Sequence, residues 1–116
     1  MNDKTFQEKF NQAREFKKQG NLSNAMSLYS ELYEQLIRDA FEHTGGSTGL
    51  AIDDKEKVDK YLTGDNLACT ILNNMGVIWA ETGNKEGAKK YFKLSINLTP
   101  RDLDYQNPII GLKELD

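Results

Sequence analysis

The 116-residue sequence predicts an all-α fold. Apolar residues recur at steps of three and four along most of the chain, the period that keeps them on one face of a helix. No segment alternates apolar and polar residues for long enough to read as a half-buried strand. The third observation is a spaced repeat. In QGNLSNAMSLY (19–29) and TGNKEGAKKYF (82–92), Gly20, Ala25 and Tyr29 share their offsets with Gly83, Ala88 and Phe92, 63 residues further on.

Residues 4–19 read as an amphipathic helix with Phe6, Phe10, Ala13 and Phe16 on its apolar face. Gly20-Asn21 ends it, because glycine accepts the left-handed conformation that closes helices. A second helix is expected from Ser23 as N-cap to about His43, carried by Ala25, Leu28, Tyr29, Leu32, Leu36, Ala40 and Phe41. HTGGSTGLAIDD (43–54) is a glycine-rich break, DDKEKVDKYL (53–62) a short charged helix candidate, and TGDN (63–66) a turn. A strongly apolar helix follows over 66–82, with Leu67, Ile71, Leu72, Met75, Ile78 and Trp79. Gly83 ends it, and residues 85–97 form the next, with Ala88, Tyr91, Phe92 and Leu94 inward. Pro100 marks a stop. A last short helix opens at Pro108 behind Asn107 as cap, since proline lacks a donor that the first turn does not need.

Composition bounds the function classes. The chain is 38% hydrophobic and 28% charged with two prolines, which fits one compact domain over 1–116. A net charge of −3 argues against a nucleic-acid surface, which carries a basic excess. One cysteine, Cys69, allows neither an internal disulfide nor a thiolate-rich zinc site. No apolar run approaches the roughly 20 residues of a membrane span, and MNDKTFQEKF lacks a signal-peptide core. The expectation is a cytoplasmic protein with no cofactor and no membrane partner.

Glycine makes each tight turn, alanine sits where paired helices come closest, and the aromatic fills the space between one pair and the next. Here the sequence resembles the tetratricopeptide repeat, a helix–turn–helix unit of 34 residues. In the copy over about 69–102, Leu72, Met75, Gly76 and Trp79 stand where the family pattern has Trp, Leu, Gly and Tyr, and Gly83, Ala88, Phe92 and Pro100 continue the match. In the copy over about 6–39, Ala13, Phe16, Gly20, Ala25 and Tyr29 agree. Lys9 and Gln12 replace large apolar residues there, and Ile37 replaces the terminal proline. The resemblance implies a short antiparallel helix-pair array, an α-α superhelix, with an insert over about 44–65 and a cap over 107–115. Without the proline the second helix should overrun by about two turns, leaving Leu36, Ala40 and Phe41 for Val58, Tyr61 and Leu62 of the insert to cover. Ile109, Ile110 and Leu112 should seal the last repeat.

Chemistry for catalysis or metal binding is not evident. His43 is the sole histidine and stands at a helix end, where the helix dipole favours it. GGSTG (45–49) lacks the lysine and the strand–loop–helix context of a phosphate loop. The aspartates of DDKEKVDK alternate with lysines, as on a solvated face. Cys69 reads as a small core residue. No catalytic or metal set is expected.

What remains is recognition. The resemblance implies a concave groove that holds a peptide or protein segment, lined by Gln7, Phe10, Asn11, Arg14, Lys17 and Lys18 in the first repeat and by Thr70, Asn73, Asn74, Val77 and Glu81 in the second. Asn11 and Asn74 occupy equivalent places, where an amide can pair with both N–H and C=O of an extended backbone. Arg14, Lys17 and Lys18 could attract an acidic segment or a terminal carboxylate. The subgroup that clamps acidic chaperone tails uses lysine and asparagine where Phe10 and Arg14 stand, and only Asn74 agrees, so that ligand is not expected. The alternative is a self-assembling homo-oligomer joined through Phe41, Tyr61, Leu62 or the C-terminal cap.

Overall fold

The computed structural model describes residues 3–44, 62–63 and 66–115. Five helices of a turn or more lie among them, with no strand: α1 (Asp3–Lys18), α2 (Leu22–Thr44), α3 (Asn66–Glu81), α4 (Lys85–Asn97) and α5 (Asn107–Glu114). Successive helices pack on one another, and α5 lies against both α4 and α3. The expected helix ranges agree to within a residue or two.

Two turns built alike make the hairpins. Gly20 and Gly83 have φ of 80° and 86°, the left-handed region that a side chain disfavours. The amide of Gly20 donates to the Lys17 carbonyl and that of Asn21 to the Phe16 carbonyl; Gly83 and Asn84 do the same to Ala80 and Trp79. The last carbonyls of α1 and α3 are thus satisfied by the turn itself. Each asparagine then starts the next helix. The Asn84 side chain accepts from the Gly87 amide at 2.9 Å, and that of Asn21 from the Asn24 amide at 3.5 Å. The cap of α2 is therefore Asn21, not Ser23, because a chain leaving a left-handed glycine is already turned to begin a helix at once.

The alanines lie inside: Ala13, Ala25, Ala40 and Ala88 have no exposed surface. Phe6, Phe10, Tyr29, Leu32 and Leu36 join Ile71, Leu72, Met75 and Ile78 in one core running from α1 through α3. Tyr29 meets Phe10 edge to face, with centroids 6.0 Å apart. Where Lys9 replaces an apolar residue, its ammonium pairs with Glu31 of α2 at 2.6 Å. The overrun of α2 extends to Thr44, and Leu36, Ala40 and Leu62 share the same core. Val58 and Tyr61 of the expected insert helix lie outside the described residues.

The second pair is closed by polar as well as apolar contacts. Ser95 of α4 is fully buried, and its Oγ donates to the Cys69 carbonyl of α3 at 2.7 Å. Trp79 stacks on Tyr91, with planes 9° apart, and the backbone of Gly87 lies against the indole. At the C-terminal end two expectations are corrected. Asn107 is inside α5, and Gln106 takes the cap position without a side-chain cap bond. Ile110 is 50% exposed rather than sealing the array, because α5 turns Gly111 and Pro108 inward instead.

Candidate functional site

A pocket of ≈ 240 Å³ opens between α1 and α3. Arg14, Lys17 and Lys18 come from α1, Asn74 and Val77 from α3, and Tyr29 from α2. Their convergence follows from the core beneath. Ala13 and Ala25 are fully buried in α1 and α2, and Tyr29, 1% exposed, packs between that pair and α3 with its hydroxyl directed to the α3 side. Asn74 Nδ2 donates to the Tyr29 hydroxyl at 3.3 Å, a side-chain bond between the two hairpins at this face.

Charge is arranged unevenly around the pocket. Lys17 pairs with Glu81 of α3 at 2.8 Å, across the end where α1 and α3 both terminate. Among the described residues no carboxylate pairs with Arg14 or Lys18. The Tyr29 phenol is held above its ordinary pKa, chiefly by burial; the Asn74 hydrogen bond and the nearby Arg14 charge pull the other way. It is therefore a neutral hydroxyl at physiological pH.

The sequence-predicted residues divide into three groups. Arg14, Lys17 and Asn74 meet in the pocket, together with Lys18 and Val77. Gln7 and Asn11 stay on the exposed face of α1, further toward its N-terminus, where Gln7 Nε2 donates to Asn11 Oδ1 at 3.2 Å. Thr70 and Asn73 lie near Tyr105, in the segment that connects α4 to α5. Asn73 is only 5% exposed, and its Oδ1 has no hydrogen-bond partner among the described residues. It is not an open groove position. Phe10, also placed on the groove, is 7% exposed and belongs to the core below it.

Tyr29 is the residue that sequence reasoning missed. Its spacing marks it as a between-pair aromatic, and that role hides the hydroxyl. A phenylalanine at the equivalent position, Phe92, is the signal that distinguishes the two sites. Tyr105 is likewise held above its ordinary pKa, first by burial, with contacts from Thr70 and Asn107 acting downward.

Two other concavities lack such a group. One of ≈ 210 Å³ lies over the Lys9–Glu31 pair between α1 and α2, and one of ≈ 450 Å³ is bounded by Glu81, Lys85, Phe92 and Glu114. Among the described residues, no three His, Cys, Asp or Glu side chains converge as a metal set would. No described helix is long and apolar enough to cross a membrane. Of the residues expected to join copies of the chain, Leu62 is 1% exposed within its own core, Phe41 is partly covered, and Tyr61 lies outside the described residues.

Comparison of the chain with protein-family models, with curated proteins and with solved structures yields no match.

Proposed function

We propose that the chain is a short tetratricopeptide-like interaction module that binds a peptide segment of another protein across the face shared by α1 and α3. The observation that carries this reading is the pocket in which Arg14 and Lys17 of one hairpin stand beside Asn74 of the other. Supporting it are the two Gly–Asn turns with the same hydrogen bonds, and Tyr29 and Phe92, which sit at equivalent offsets and each pack beyond their own helix pair. An exposed polar face over a rigid helical floor suits an extended segment, since side-chain amides can bond its backbone without a conformational change in the protein.

The test is selection of random unstructured peptides against the full chain, followed by ¹H–¹⁵N NMR with the binders. Binders should move the resonances of Arg14, Asn74 and Val77, and Asn74→Ala should weaken them. Selected peptides that perturb only other surfaces, or a selection that yields none, would refute the reading.

A further inference from the structure

We infer that the α4–α5 connection is a strap, latched by Tyr105 over the Thr70–Asn73 end of the α3 face, which a bound peptide segment must displace. The inference rests on the groove reading above, and it makes access to that groove a property of the chain's own connection.

Thr70 and Asn73 belong by position to the groove, yet in the structure they meet Tyr105. Side-chain hydrogen bonds link the Tyr105 phenol to Thr70, to Asn73 and to Asn107 at the start of α5. The segment that carries Tyr105 is otherwise little buried. Of residues 101–107, Tyr105 is the one that is not exposed. The amides of Leu103 and Tyr105 donate to the carbonyls of Pro100 and Leu103, and Gln106 Nε2 donates to Asp104 Oδ1, so these bonds stay within the connection. Leu98 and Pro108, both buried, fix its two ends.

Closure leaves one group unsatisfied. Asn73 is buried, and its Oδ1 has no hydrogen-bond partner among the described residues. An unpaired buried acceptor disfavours the closed form, and water or a peptide N–H reaching it restores the bond. Closed and open forms are thereby brought nearer in free energy, as a switch requires. A segment with few buried contacts is also the kind that opens locally while the rest of a protein stays folded. Tyr105 swings away in the open form, and α5 keeps its hold on Phe92 through Gly111. Thr70 and Asn73 then extend the polar row of Asn74 toward the N-terminus of α3.

The test uses the full chain, its Tyr105→Ala and Tyr105→Phe variants, and the peptides selected from the random library. Without peptide, ¹⁵N relaxation dispersion should show one shared exchange process at Thr70, Asn73 and Tyr105, with an open form of about 0.1–10%. A segment that needs the open form has its Kd raised by the inverse of the open fraction. Peptides that move Thr70 and Asn73 should therefore bind Tyr105→Ala about tenfold or more tighter than the parent. Tyr105→Phe, which keeps the ring and loses the hydroxyl, should fall between the two. A tyrosine that only supports the fold would leave binding unchanged or weaken it. Thermal unfolding checks that both variants fold, and the phenylalanine variant decides the comparison where the alanine variant does not. Flat dispersion at all three positions, or equal affinity of the parent and the folded variants, overturns the strap. Binders that move Asn74 and Val77 but leave Thr70 and Asn73 unmoved overturn it too, yet leave the groove reading standing. A selection that yields no binder refutes both.

Discussion

Gly76 of α3 and Gly111 of α5 stand against the same Phe92 ring. A β-carbon at Gly76 would lie 2.7 Å from Cδ1 and Cε1, and one at Gly111 would lie 2.6 Å from Cζ. The ring comes from α4 and is 2% exposed, so one aromatic joins three helices through two positions that have no side chain.

Both glycines should therefore resist substitution, although each sits within a helix. Alanine recovers up to about 1 kcal/mol of helix propensity, but overpacking a buried ring costs about 1–3 kcal/mol. Gly76→Ala and Gly111→Ala should each lose about 1 kcal/mol net in urea unfolding. Phe92→Leu, which removes the ring, should make Gly111→Ala nearly neutral in that background. Simple additivity of the two changes would contradict the contact.

The paired turns predict an asymmetry. Among the described residues nothing lies within 4 Å of a β-carbon built at Gly20 or Gly83, so substitution there acts through the backbone. Alanine at either position should cost about 1–2 kcal/mol, and asparagine less, since it tolerates the left-handed region better. The following asparagines should differ from each other. Asn84 holds its cap bond at 2.9 Å, against 3.5 Å for Asn21. Asn84→Ala should cost about 1 kcal/mol and Asn21→Ala only a few tenths. Equal losses would mean that the longer contact is no weaker in solution.

The helices and their turns were legible because each is fixed by local chemistry: three- and four-residue apolar spacing, and glycine where φ is positive. The overrun of α2 was legible from Ile37, which stands where a proline would have halted it. The misreadings of burial share a cause, which is contact with chain distant in sequence. Asn73 has the helical phase of a solvent-facing residue, and nothing near it in sequence announces that the α4–α5 connection brings Tyr105 beside it. Ile110 is apolar and so reads as inward-facing, whereas Gly111 gives the closer approach to Phe92. The Tyr29 hydroxyl is not legible in the sequence because periodicity reports where a side chain lies and says nothing of what its last atom meets. Five of the six pocket residues, Arg14, Lys17, Lys18, Asn74 and Val77, came from the groove positions that the resemblance implied. Its floor did not.

Ser95 tests the polar contact inside the second pair. Its Oγ donates to the Cys69 carbonyl where both residues are fully buried. Ser95→Ala removes the donor and leaves an acceptor that can keep its own helical hydrogen bond, so the loss should be near the usual net value of about 1 kcal/mol. Ser95→Val adds volume as well, and should cost more, by about 1–3 kcal/mol of overpacking. Denaturant midpoints with an unchanged slope would establish that stability alone is affected. A Ser95→Ala protein as stable as the parent would show that this bond adds nothing beyond helix packing.

Alkaline pH should destabilise the protein through its buried phenols. Tyr29 and Tyr105 are both raised above 10.0, in each case first by burial. An acid whose pKa is raised on folding keeps its proton in the native state through a range of pH where the unfolded chain has lost it. The unfolded state then binds fewer protons, and stability falls as pH rises. The contribution is thus complete below the ordinary tyrosine value and is lost as pH climbs from there through the folded value. Thermal midpoints should be level from about pH 7 to pH 9 and decline above about pH 10. Tyr29→Phe removes one of the two groups, so its decline between about pH 9 and pH 11 should be shallower than the parent's. Lysines also titrate in that range, but they do so in both proteins, and the comparison cancels them. Parallel declines would mean that the Tyr29 phenol ionises as readily in the folded chain as in the unfolded one, and that the hydroxyl between Phe10 and Asn74 is open to water rather than held beneath α1 and α3.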